Sequence, residues 1–376
     1  MRRLLAAVRA LSPPLPAPVS PRPHRSRTDR RHAHARAHPL KQACAALALL
    51  AASTAHAGWL QKLGLGTTSA GVGSGVTLAT WNMEWLMVPA EHERLAARCT
   101  SQQPRSQDRA LPCTPGRTPP PSRTQADLDA LARSAQSLHD THRVDVVALQ
   151  EVDGPEAARQ VFRQGWQLGC FTQRAHPQKV GFAIREGVPF RCNGDLTALD
   201  IDGGTRAGAD VTLWPGTSRE VRLLAVHLKS GCFTGKLDRS FEPCARLRQQ
   251  VPVVEAWVDQ RVREGTAFAL LGDFNRHLDK DARYPAGPDE GAPFNLVQAW
   301  SDDVPRGATL LRATEGQRYT GCTADDKHRQ YIDDIFIDQK LAAQNGNRRF
   351  ARLSFDASDQ GRQLSDHCPV IWALKP

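Results

Sequence analysis

Six short stretches place acids, amides and imidazoles at the end of, or just inside, apolar strand-like runs. Asn82 follows Trp81, and Glu151 follows VVALQ. His227 and Lys229 lie in AVHLKS, Asp273 and Asn275 in LLGDFN. Asp333 and Asp334 interrupt YIDDIF, and Ser365-Asp366-His367 precede CPVIWAL. Taken singly each has a plain structural reading. Asn82 suits a turn, Glu151 the cap of the Asp153-Gly154 turn, His227 a satisfied core imidazole, GDFN a Gly-Asp turn and SDH a serine turn before a strand. Taken together the balance reverses. A carboxylate such as Asp333 inside an apolar run is costly to bury unless a cation or an imidazolium pairs with it. Glu151, Asp273 and Asp366 add carboxylates, the donor type that suits a hard cation such as Mg²⁺ or Mn²⁺. Asn82, His227 and Asn275 are neutral groups able to hold a phosphate oxygen, and Asp333 can orient His367. These are the parts for metal-assisted attack of water on a phosphodiester or phosphomonoester.

Such side chains need a rigid frame. VTLATWNMEWL (76–86) alternates in the manner of a strand, and VDVVALQEV (144–152), KVGFAIR (179–185), VRLLAVHLKS (221–230) and TAFALLGDF (266–274) are nearly continuous apolar runs expected of strands buried on both faces. YIDDIFI (331–337) and CPVIWAL (368–374) complete the set. Thr124 is placed to cap a helix carrying Asp127 and Asp129 in its first turns and Leu128, Leu131, Ala135 and Leu138 at helical spacing. Leu247, Val251, Val254 and Val258 mark a second amphipathic helix. Residues 89–123, rich in Pro, Arg and Gln, read as an inserted surface loop within a catalytic domain spanning 76–376. No repeat period is visible. Strands mixed with helices along the whole length predict one α/β domain with two sheets covered by helices.

WNMEW, LQEVDG, HLKSGC, LGDFN, YIDDIF and LSDHCPV, in that order, resemble the endonuclease/exonuclease/phosphatase superfamily with its DNase I-like fold. The resemblance covers essentially residues 76–376. It implies a four-layer α/β-sandwich with two mixed, mostly antiparallel sheets packed face to face and flanked by helices. It also implies a metal-dependent phosphoester hydrolase using Mg²⁺, with Mn²⁺ or Ca²⁺ as substitutes. By the same resemblance Asn82, Glu151 and Asp366 belong at the metal, and His227, Asp273, Asn275, Asp333 and His367 carry the catalysis. Asp273 prepares the water, His367 contacts the phosphate, and Asp333 pairs with His367. His227, Lys229 and Asn275 hold the substrate, with Asp273 and Asn275 on opposite sides of the phosphate. Asp334 stands where the family often has Tyr.

The net charge of +10 does not by itself indicate a polyanion partner. Residues 1–57 hold nine Arg and Lys41 against Asp29, which leaves 39 basic and 38 acidic residues in 58–376. A basic leader, the apolar stretch 43–52 and Ala55-His56-Ala57 describe a signal peptide cleaved near Ala57, with 58–75 as a loose lead-in. Export to the periplasm or beyond is therefore expected, and no apolar run reaches the roughly 20 residues of a membrane span. Export favours disulfides among Cys99, Cys113, Cys170, Cys192, Cys232, Cys244, Cys322 and Cys368. Local spacing points to 99–113, 170–192 and 232–244, and none of it has zinc-site spacing.

The leading substrate is nucleic acid, DNA or RNA, cut by a monomer. Basic side chains available for a backbone are Arg94, Arg98, Arg105, Arg109, Arg117 and Arg123 in the insertion, and Lys236, Arg239, Arg246 and Arg248 after His227. The alternatives are a sphingomyelinase-like phospholipid or inositol-phosphate hydrolase, for which Trp81, Trp85 and Met87 offer an aromatic loop, and a non-catalytic binding module on the same fold.

Overall fold

Leu78 and Ala79 are neighbours in the first strand-like run, yet they belong to different hydrophobic cores. That is the period-2 geometry of a strand buried on both faces. In the computed structural model, which describes residues 75–100, 122–237, 240–283, 295–322, 329–346 and 348–374, this pattern recurs through both sheets. The first sheet has the order β11(Arg348–Arg352), β12(Val370–Leu374), β1(Leu78–Leu86), β2(Val146–Val152), β4(Lys179–Arg185), β3(Trp166–Gly169). The second has the order β5(Phe190–Leu196), β6(Gly208–Leu213), β7(Val221–His227), β8(Ala267–Asp273), β10(Asp333–Asp338), β9(Leu310–Arg312).

Leu78, Val146, Ala148, Phe182, Val211, Leu223, Ala269 and Ile335 fill the space between the sheets. The opposite face of the first sheet, Ala79, Trp81, Val147 and Leu149, packs under α2(Gln125–His142) through Leu128, Leu131, Ala135 and Leu138. Leu224, Val226, Phe268 and Leu270 pack under α4(Glu242–Glu264) through Leu247, Val251, Val254 and Val258. The result is the expected four-layer sandwich. Both sheets are mixed: β1 runs parallel to β2 and β7 parallel to β8, whereas β12 and β10 are antiparallel to their neighbours.

Thr124 caps α2 as predicted, in a capping box: its hydroxyl accepts from the Asp127 N–H while the Asp127 carboxylate accepts from the Thr124 N–H. The expectation of a loop over 89–123 is overturned in its first part, because Pro89–Thr100 form the helix α1. Pro at its first position and the run of good helix formers after it favour this, and the fully buried Leu95 anchors it. Residues 101–121, the leader and signal segment, and most of the lead-in lie outside the described residues. Among the described residues no helix is long and apolar enough to cross a membrane. Disulfides join Cys170–Cys192 and Cys232–Cys244 as expected, and also Cys322–Cys368. Cys113, and with it the 99–113 pair, lies outside the described residues.

Candidate active site

The six motif stretches come from three consecutive strands in each sheet, β12-β1-β2 and β7-β8-β10. The parallel strands deliver their carboxyl ends and the antiparallel ones their amino ends to the same rim. Across the second sheet, register sets His227 beside Asp273 and Asp273 beside Asp333, a row of three chemical groups on adjacent strands. Gly272 permits this close row. A Cβ at that position would stand 2.0 Å from the Val226 carbonyl oxygen, so the glycine of GDFN is needed for the strand contact that aims Asp273.

The first sheet supplies the groups opposite. The Asn82 Nδ2 donates to Asp273 Oδ2 at 3.0 Å and to Glu151 Oε1 at 3.3 Å. His227 Nε2 lies 3.6 Å from both Glu151 Oε1 and Asp273 Oδ2. His367 Nδ1 is 2.8 Å from Asp333 Oδ2, and its Nε2 faces Asp366 Oδ1 at 3.7 Å and Asp273 Oδ2 at 4.0 Å. Asn275 holds Asp273 by two atoms, its N–H donating to Oδ1 at 2.7 Å and its Nδ2 to Oδ2 at 3.1 Å. Asp273 and Asn275 therefore stand side by side. Glu84, Trp85, Glu151 and Asn275 all adopt left-handed backbone angles, φ 44°, 55°, 57° and 51°. Each such residue costs of order 1–3 kcal/mol and persists only where its surroundings fix it, as at functional sites.

Electrostatics assigns protonation. Burial and then the Asp333 carboxylate push Asp273 up to about 7. Burial and then Asp366 raise Glu151, and they push Glu84 up to about 7. Burial, aided by the Arg206 guanidinium, drops His227 well below its usual range and keeps it neutral. Burial acts against charge on His367 too, but the Asp333 carboxylate and its hydrogen bond outweigh it and hold the imidazolium well above the ordinary range. Asp334, one position on in the pleat, faces away from this group. Its carboxylate accepts from Thr314 N–H and Oγ1 at 3.0 and 2.6 Å and sits 3.4 Å from Arg312, a structural role.

Asp366 raises the proton affinity of Glu84 and Glu151, Glu151 adds to that of Glu84, Asp333 raises that of Asp273, and Asp333 Oδ1 is buried without a hydrogen-bond partner among the described residues. Such uncompensated negative charge fits a divalent cation. Among the described residues, ligand-type atoms of Asp273, Asp333 and His367 lie within 4.8 Å of one another. The 2.8 Å contact between His367 and Asp333 already accounts for that trio as an imidazolium–carboxylate pair, so Glu151, Glu84 and Asp366 are the carboxylates that could hold a cation, with Asn82 orienting Glu151 through its Nδ2 and accepting the Glu84 N–H at its Oδ1.

Of the expected substrate contacts, Lys229 takes a backbone role here, its N–H donating to Gln250 Oε1 at 2.8 Å and its Nζ to Ser230 O at 2.8 Å. Arg123 is no surface cation, being buried against the carbonyls of Met83, Glu84 and Leu364. Arg94 pairs with Glu91, and Arg246 pairs with Glu242 and reaches Ile201 O. Arg105, Arg109, Arg117 and Arg239 fall outside the described residues. Sequence reasoning passed over Glu84, whose spacing of two from Asn82 was the available signal, and Arg206. Arg206 is 8% exposed, donates to Leu228 O at 2.6 Å, and is the cation nearest in effect to Glu151 and His227.

Solved structures similar to this chain include TDP2 from C. elegans, at 12% identity over 79% of this chain and 75% of that one, TM-score 0.49. An AP endonuclease from Archaeoglobus fulgidus matches at 13% identity over 80% and 100%, TM-score 0.47. The 3'-5' exonuclease NExo from Neisseria meningitidis matches at 18% identity over 80% and 100%, TM-score 0.46. No curated protein matches the chain. A model of the Endonuclease/Exonuclease/phosphatase family matches residues 79–367, from the second residue of β1 to the imidazole paired with Asp333. The span takes in every group on the rim, and the chain belongs to that family of metal-dependent phosphoester hydrolases.

Proposed function

We propose that this protein is an exported, Mg²⁺-dependent phosphodiesterase that hydrolyses DNA or RNA. The observation that carries the proposal is the row His227–Asp273–Asp333 meeting Asn82, Glu151 and His367 at one rim. A divalent cation held by Glu151, Glu84 and Asp366, with Asn82 beside them, would draw charge from a phosphate oxygen. Asp273 takes a proton from the attacking water, and the two Asn275 hydrogen bonds aim its carboxylate. His367, kept cationic by Asp333, stabilises the negative charge that builds on the phosphate. His227, kept neutral by burial, faces the same region with its Nε2 3.6 Å from Glu151 Oε1 and Asp273 Oδ2 and can donate to a phosphate oxygen there.

Nucleic acid is favoured over lipid by what the surface offers. Trp81 and Met87 are core residues and Trp85 is half-buried, so the aromatic loop that a lipid substrate would call for is taken up in packing. The exposed large apolar side chains among the described residues, Phe241, Val304 and Leu311, come from three separate segments. The three disulfides suit an oxidising compartment and support export. The complete set of catalytic groups weighs against a silent binding module.

The test is turnover by purified protein of plasmid DNA, RNA, sphingomyelin and inositol phosphates, each with Mg²⁺ or Mn²⁺ and with EDTA. Cation-dependent cleavage of DNA or RNA is expected. Turnover confined to the lipid or the inositol phosphates would replace the nuclease reading with the runner-up, and no turnover of any would favour the binding module.

A further inference from the structure

Arg123 gathers the carbonyl groups of two separate site loops. Its Nη2 donates to Met83 O at 2.9 Å and Glu84 O at 2.8 Å, its Nη1 to Trp85 O at 3.3 Å, and its Nε to Leu364 O at 2.9 Å. The side chain is 4% exposed, and Glu84 Oε2 lies 3.9 Å away. Three consecutive carbonyls turned toward one point is not a strand geometry. It goes with the left-handed φ of Glu84 and Trp85, a conformation that a glutamate and above all a tryptophan adopt reluctantly. The Leu364 carbonyl belongs to the other loop. One residue on, Ser365 Oγ donates to Asn82 O at 2.8 Å, and the Asp366 N–H donates to Glu84 Oε2 at 3.1 Å. The guanidinium thus sits at the joint where the end of β1 meets the Ser365–His367 loop, facing the carboxylates of Glu84, Asp127, Asp366 and Glu151. Its own base is firm, because the next residue is the capped start of α2.

We propose that Arg123 is a positioning residue of the cation pocket: it fixes the left-handed turn at 84–85 so that the Glu84 carboxylate points at Asp366, and it locks that turn to the loop carrying Asp366 and His367. The inference rests on the reading that Glu84, Glu151 and Asp366 hold the cation. Arginine is required for the geometry of its fork. Planar N–H groups reach four carbonyls in fixed directions, whereas a lysine ammonium on a flexible stem would satisfy the charge without fixing the turn.

The experiment is titration of Mn²⁺ into cation-free protein without substrate, followed by electron paramagnetic resonance and calorimetry, with thermal midpoints measured alongside. The variants are Arg123→Lys, Arg123→Ala, Glu84→Gln and Leu131→Ala, the last removing core packing from α2 alone. Arg123→Lys should weaken Mn²⁺ by about tenfold or more, the range for groups that orient metal ligands. Leu131→Ala should lower the midpoint and leave the affinity nearly unchanged. Methylguanidinium should restore Mn²⁺ affinity to Arg123→Ala. If Arg123→Lys binds Mn²⁺ like the parent while Glu84→Gln is weakened, the inference is overturned and the pocket stands. Equal weakening by Leu131→Ala would also overturn it, reducing Arg123 to a packing role. If Glu84→Gln itself binds like the parent, the reading of the pocket fails and takes the inference with it.

Discussion

His367 and Asp333 meet as an imidazole and a carboxylate on the rim of the site. Their 2.8 Å contact is buried, so the Asp333 carboxylate overcomes the desolvation that would otherwise neutralise the imidazole. The folded-state pKa of His367 is raised. The charge therefore persists above the unfolded value, and both the stability it contributes and the activity that needs it are lost as pH rises through the folded pKa. Asp333→Asn removes the charge and leaves the burial. The alkaline limb of the kcat–pH profile should then move to lower pH, with kcat down roughly 10²–10⁴-fold. A profile whose alkaline limb stays in place would show that His367 is not the cationic group. Asp273→Asn should cost a similar factor in kcat for a different reason, since it removes the proposed base. It should leave the thermal midpoint of the cation-free protein unchanged or higher, because a carboxylate crowded by Asp333 is destabilising where it stands. A lowered midpoint with partial activity would instead make Asp273 a structural residue.

At the level of strands and turns, the tightest constraint is Gly272 in β8. A methyl there would meet the Val226 carbonyl oxygen at 2.0 Å, against backbone rather than a yielding side chain. Gly272→Ala must therefore push β7 and β8 apart at the point where His227 faces Asp273. A loss of about 3 kcal/mol or more is expected, at the severe end for point substitutions, read as a lower urea midpoint together with lost activity; near-parental stability would mean the strands are not so closely set. The same geometry explains what the sequence disclosed. β1, β2, β4, β7, β8, β10 and β12 were readable because strands buried on both faces carry continuous apolar runs. The strands β3, β5, β9 and β11 were not, because they lie at sheet edges, where one side faces solvent: β5 reads FRCNGDL and is largely exposed, and β11 reads RRFAR. β6, GADVTL, is fully buried, but it opens on Gly and carries an Asp that Arg222 and Trp257 satisfy from other elements. The site was legible wherever its groups closed an apolar run. Glu84 and Arg123 stayed hidden because their roles depend on a turn and on a loop 241 residues further along the chain, and Arg206 because its partners Glu151 and His227 come from other strands.

For the molecule as a whole, folding gathers Glu84, Glu151, Asp273 and Asp366 at one rim, an arrangement that opposes itself unless something positive binds. Without a cation, Glu84 and Asp273, both pushed up to about 7, hold protons in the folded chain that the unfolded chain releases near its ordinary carboxylate values. Folded-state proton binding then exceeds unfolded, and these two groups make stability fall as pH rises from about 4 to about 7. Asp334, pushed up to about 6 by burial, adds to the same slope from outside the site. Acids held low, such as Glu91 and Asp127, act in the opposite sense: their stability is present above the unfolded value and lost as pH falls. The total pH profile therefore cannot isolate the site, but the effect of a cation can. A Mg²⁺ ion held by Glu84, Glu151 and Asp366 would compete with the protons on Glu84 and Glu151 and would not touch Asp334. The stabilisation by Mg²⁺ relative to EDTA should thus grow as pH rises toward and past about 7, approaching about 2.7 kcal/mol where the cation is at 100 times its dissociation constant, and the thermal midpoint should rise with it. The Asp334 share of the slope should survive in Mg²⁺ and vanish in Asp334→Asn. Calorimetry across that pH range, with and without Mg²⁺, decides the matter: a cation-induced shift of equal size in acid and at neutrality would mean that the crowded carboxylates are not where the metal binds.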